Sequence, residues 1–176
     1  MITGMATWTA PFPDPALLQD AGPLTGPDRP MLEGYLNFCR ATLLNIGAGL
    51  TAEQLAARPL PTSLSLLGLV RHLRKVERVW FRIRAAGQDV PNPFPDEDSD
   101  FDQARAETAE AELAAYRAEC EAVDAAVKEV SFEHTVEVRG EVLSLRMVYL
   151  HVICEYQRHN GHADLIREAL DGVTGR

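Results

Sequence analysis

The chain has 176 residues, 46% of them hydrophobic, and a formal charge of −9. That length suits one domain with its own core, and the acidic balance repels nucleic acid and anionic lipid, so neither is an expected partner. No apolar run approaches the ~18 residues of a membrane span, and the opening MITGMATWTAPFPDP has neither the basic region nor the apolar core of a signal peptide, so a cytoplasmic protein is expected.

Residues 1–28 are rich in Pro and Gly without a sustained period. They read as an irregular arm that Trp8, Phe12 and Leu17 anchor on the domain. The first helix is expected after Asp28 as N-cap, with Pro30 in its first turn and Leu32, Leu36, Cys39, Leu43 and Ile46 at helical spacing. Thr51-Ala-Glu-Gln54 forms a capping box before a short helix. After a proline-broken stretch, a second long helix runs from about Ser65 to Ala86 and stops at Gly87.

PNPFPDEDSDFD reads as a long acidic loop, and an alanine-rich third helix follows from about Glu107 to Val130. In HTVEVRGEVLSL, alternating valines around Arg139-Gly140 predict a small hairpin. Ser144 then caps a fourth helix from about Leu145 to Asp171, ended by Gly172. Four long helices with short links predict an all-α four-helix bundle over 29–172, carrying a β-hairpin before the last helix and a tail at 173–176. Cys39, Cys120 and Cys154 form no CxxC pair. Cys39 and Cys120 read as small buried hydrophobes, and Cys154 points about 100° away from Glu155 on a helix.

The polar residues of the fourth helix carry the functional signal. In HVICEYQRHNGH, positions 151, 155, 159 and 162 fall at steps of four, four and three, which is one helix face. Glu155 and His159, one turn apart, can grip one metal ion from a single helix. A third ligand must come from another helix. His72 in LGLVRHLRKVERVWF shares the face of Leu69, Leu73, Val76 and Trp80, so it points inward. His151 reads as a fourth ligand, a group supporting the ligands, or core; His162 donates to substrate or orients a ligand; His134 lies on the surface. Gly161 leaves room for a helix or ligand, Asp164 and Arg167 form an ion pair or reach substrate, and Arg71, Arg74 and Lys75 form a largely solvated face.

EYQRHNGHADLIRE resembles the last bundle helix of the DinB/YfiT-like superfamily of metal-dependent enzymes, with a ligand, three residues, then a histidine followed by Asn160-Gly161-His162. SLLGLVRHLRKVERVWF resembles that superfamily's second helix, and the resemblance is strongest to the branch related to mycothiol S-transferases. It implies metal ligands at His72, Glu155 and His159, a divalent ion (zinc or nickel), a low-molecular-weight thiol such as mycothiol as co-substrate, and a homodimer. Mycothiol-dependent maleylpyruvate isomerase, a member of the superfamily, has the same His, Glu, His set, whereas many DinB-like proteins have three histidines.

The expected activity is thiol S-transfer to an electrophile, a detoxification chemistry. His162 and Asp164 are the catalytic candidates, and Arg71 and Arg167 are candidates for holding the thiol's polar groups. Metal-assisted hydrolysis, with His162 or Asp164 as base, is the alternative activity. A stress-linked binding protein of the same fold is the non-enzymatic one.

Overall fold

The computed structural model describes residues 7–174; the first six residues of the arm and the last two of the tail lie outside that range. The chain folds as an all-α bundle with one two-stranded antiparallel hairpin before the last helix. Helix α1 (Asp28–Gly47) buries Leu36, Cys39, Leu43 and Ile46, the stripe its spacing predicts. Its start differs from expectation by one residue. Pro27 occupies the N-cap with no side-chain bond, and Asp28 is the first helical residue. Its carboxylate meets Arg146 at 2.6 Å instead of capping α1.

The arm is held by backbone more than by its large side chains. Ala10 donates to Leu50 O and accepts from Gly49 N–H, both at 2.8 Å. Trp8 packs against the core, but Phe12 is 70% exposed and Leu17 44%, so these two do not anchor it. The arm also turns against α1 at Gly34, where a Cβ would fall 2.6 Å from Gly22 Cα.

Helix α2 (Ala52–Ala56) begins with both bonds of the Thr51–Gln54 capping box. Helix α3 (Leu66–Glu77) begins at Ser65, whose Oγ accepts from Gly68 N–H at 3.0 Å. The expected uninterrupted α-helix does not continue to Ala86: Arg78–Ala85 is a π-helix. Such widened turns shift every later side chain around the axis. Glu77, the last residue before the switch, points into the core, and within the π-helix Arg78 and Arg82 both reach Glu119.

The acidic loop is not structureless, because Ser99–Asp102 forms a helical turn, α4. Helix α5 spans Ala109–Val127, shorter at both ends than expected. Strands β1 (Thr135–Val138) and β2 (Glu141–Ser144) pair across Arg139 and Gly140, which have φ of 55° and 82°. Two left-handed central residues make the hairpin turn whose twist matches the strands. Ser144 caps α6 (Leu145–Asp171) by accepting from Met147 N–H, and left-handed Gly172 ends it, as the sequence predicts.

Helix α1 lies along α6, and α3 packs on both α5 and α6 around the core. Leu67, Leu69, Leu73, Val148, Val152 and Tyr156 are fully or almost fully buried there. Among the described residues no helix is long and apolar enough to cross a membrane.

One charged network crosses this core. Glu77 is completely buried, and Arg40 donates to its two carboxylate oxygens at 2.7 and 2.9 Å. Tyr156 Oη donates to Glu77 at 2.9 Å and lies 2.7 Å from Tyr116 Oη. Burial works against the Arg40 charge, but Glu77 keeps its guanidinium protonated. Each carboxylate oxygen has a donor, which is what a buried charge requires.

Candidate metal centre

A second polar cluster lies between α3 and α6. His72 projects from the middle of α3, and Glu155 and His159 project from α6 one turn apart. Their ligand atoms all lie within 4.8 Å of one another. Glu155 Oε2 is 3.5 Å from His159 Nε2 and 4.0 Å from His72 Nε2. The two imidazole rings meet edge to face with centroids 4.6 Å apart. Neither Nε2 has a hydrogen-bond partner among the described residues, although both are buried.

The direction of the His72 lone pair is set from the other side of the ring. Asp100 is 2% exposed and places Oδ2 2.8 Å from His72 Nδ1. Burial works against the Asp100 charge, but the His72 bond and the Lys75 ammonium at 3.5 Å hold its carboxyl below the usual range. An ionised carboxylate only accepts, so the network assigns the proton to Nδ1 and leaves Nε2 as the free lone pair. Phe101 stacks on the same ring at 4.7 Å and restricts its tilt.

Burial pushes the His159 imidazole down to about 4, helped by the nearby Arg158 guanidinium, so it is neutral near pH 7. Neutral imidazole nitrogen and carboxylate oxygen are the protonation states that bind a divalent ion. Two orphaned nitrogens and one carboxylate converging from two helices therefore fit a metal. Residues 31–172 match the sequence model of a family described as mycothiol-S-transferase. The chain belongs to the mycothiol S-transferase family. No curated protein and no solved structure matched the chain.

In this family member the remaining sequence candidates divide. His162 stays with the cluster, its Nδ1 3.4 Å from His159 Nδ1. His151 does not join the three ligand candidates; its ring lies on Trp80 at 4.1 Å, and burial lowers its pKa. Asp164 lies on the far side of α6. It follows Glu155 by nine residues, about two and a half turns, so the two side chains face opposite ways. It lines a cleft against α1 instead.

Neither predicted thiol-holding arginine is free at the cluster. Arg71 is buried, donates to the carbonyls of Ser99 and Asp100 at 3.0 and 2.8 Å, and pairs with Glu112. It fastens the loop that delivers Asp100. Arg74 also binds Glu112 of the following long helix and Lys75 faces Asp100, so the expected solvated face is a set of contacts to that helix and to the Asp100 loop. Arg167 donates to Ile46 O and Ala48 O and pairs with Asp171, closing the α1 end against α6. An added Cβ at Gly161 would meet nothing within 4 Å, so close helix packing does not require its small size.

Sequence reasoning missed Asp100. A buried acid 28 residues from His72 in a loop without periodicity carries no local signal, though an acid-rich turn between two helices is a place to look for one.

Proposed function

We propose that the protein is a metal-dependent thiol S-transferase that activates a low-molecular-weight thiol of the mycothiol type for attack on an electrophile. Membership of the mycothiol S-transferase family supports the reaction class. The observation that carries the metal dependence is the convergence of His72 Nε2, His159 Nε2 and the Glu155 carboxylate, with both nitrogens unpartnered.

His72, Glu155 and His159 would hold the ion, and mixed imidazole and carboxylate donors suit zinc or nickel. A divalent ion with three protein ligands supplies an open position that favours a thiol in its thiolate form. The chain's own residues do the rest. Asp100 keeps the His72 lone pair turned inward, and Phe101 limits access to one face of the ring.

His162, beside His159, would accept the thiol proton. The sulfur then forms a bond to the electrophilic atom, whose leaving group departs with its electron pair. A reduced thiol substrate fits a cytoplasmic setting, as do three cysteines left free.

The test is conjugation of mycothiol to monochlorobimane by the zinc- or nickel-loaded protein. We expect turnover well above the metal-free control, and a loss of about 100-fold in His162→Ala with metal retained. Conjugation no faster than the metal-free control across a panel of electrophiles would overturn the reading.

A further inference from the structure

On the opposite side of α6 from the metal cluster, a cleft of about 800 Å³ opens between α1, α6 and the arm. That volume lies in the range of small-molecule sites. Its walls include Phe12, Phe38 and Ile46, and Phe12 leaves most of its ring uncovered. Its polar wall is the α6 face carrying Asn160, Asp164 and Arg167, residues three and four apart.

Two buried polar atoms of this wall lack a partner among the described residues, and both are acceptors. Asn160 is only 5% exposed; its Nδ2 donates to Cys39 O at 3.1 Å, and its Oδ1 has no partner. Asp164 Oδ1 is buried and also has none among the described residues. Among the described residues, the arginine one turn further along α6 does not answer it. Arg167 spends Nη1 on Ile46 O and Ala48 O, and directs Nε and Nη2 at Asp171. Burial alone raises the Asp164 pKa, with no opposing cation.

A carboxylate without a counter-ion, an amide oxygen without a donor and two aromatic rings are a complement for one chemistry. An ammonium group supplies several N–H donors and a charge for the carboxylate. Aromatic faces attract the same cation and cover an apolar body. A neutral apolar ligand would leave both oxygens unpaired, and an anion would meet the carboxylate.

We propose that the α1–α6 cleft is a second ligand site, distinct from the metal cluster, that takes an organic ammonium ion with an aromatic or aliphatic body, held through Asp164 and Asn160. The site does not depend on the metal reading, since no residue is shared between them.

Calorimetric titration at neutral pH and low salt tests it, with phenethylammonium as probe and 2-phenylethanol as its neutral counterpart. We expect saturable one-site binding of the amine to the wild-type protein, weaker by about tenfold or more for the alcohol and for Asp164→Asn. Phe38→Leu is expected to weaken the amine by a smaller factor. The alcohol comparison needs no variant, so it decides the matter even if a substitution unfolds the chain. Three results would each overturn the proposal: no saturable heat with millimolar amine, equal affinity for the alcohol, or an unchanged affinity in folded Asp164→Asn.

Discussion

Two polar clusters cross the contact between α3 and α6, and they differ in how they are finished. Around Glu77, Arg40 and Tyr156 close both carboxylate oxygens, and Tyr116 extends the chain of bonds. Around His72, the Nδ1 side is closed by Asp100, while the Nε2 atoms of His72 and His159 remain without partners. Both clusters are buried in the same bundle and use residues of the same two helices. A satisfied network stabilises and specifies the fold. An unsatisfied one costs stability and persists where something else is meant to fill it. The difference separates the part of the interface that holds the bundle from the part proposed to act.

Breaking the closed cluster has the largest expected effect on stability. Arg40→Met strands the Glu77 carboxylate with one donor, and we expect a loss of about 3–5 kcal/mol in urea unfolding at pH 7. Metal uptake by the fraction that stays folded should not change, because Arg40 touches none of the three ligand candidates. If Arg40→Met abolished metal binding in folded protein, the two clusters would not be separable.

The next effect is on the open cluster. Asp100→Ala frees His72 to change tautomer and tilt, and chelator competition should show metal affinity about 10–100-fold weaker. Asp100→Asn keeps an acceptor for Nδ1–H and should lose less. Equal affinity in all three proteins would remove Asp100 from the centre.

A smaller effect comes from a closed group of three outside both clusters. Burial works against the Glu119 charge, but bonds from Arg78 and Arg82 hold its pKa below the ordinary 4.5. A carboxyl depressed by folding stabilises the protein fully above its unfolded pKa. That contribution fades as pH falls below about 4.5 and through the folded value. Glu119→Gln should therefore cost about 1–2 kcal/mol at pH 7 and flatten the loss of stability between neutral and acid pH. An unchanged acid limb would show that other carboxylates set it.

The smallest expected change is a gain. Gly161 is exposed inside α6 with open space where a Cβ would go. Gly161→Ala should stabilise the protein by about 0.5–1 kcal/mol and leave metal content unaltered. Destabilisation there would show that the backbone beside His159 needs freedom that the static fold does not reveal.

What was legible in the sequence follows the range of each interaction. Ser65, Thr51, Ser144 and Gly172 were readable because a cap bonds within its own turn. Glu155 and His159 were readable because one helix fixes their separation, and His72 joined them through its apolar stripe and the family resemblance. Asp164 was misplaced because closeness along the chain was given more weight than helix phase; nine residues put it on the other face. The sequence offers Arg71 and Arg167 as candidates to hold the thiol because it does not announce their partners, which include backbone carbonyls of distant segments. Asp100 and the π-helix at Arg78–Ala85 arise from tertiary contacts and left no periodic trace.

The central claim is that His72, Glu155 and His159 together hold one divalent ion. Elemental mass spectrometry on tag-free protein purified without chelator tests it most directly, with wild type beside His72→Ala and His159→Ala, each checked for helicity. The account predicts about one equivalent of zinc or nickel in the wild type and almost none in either folded variant. No metal in the wild type after reloading with both ions, or equal metal in the variants, would contradict it.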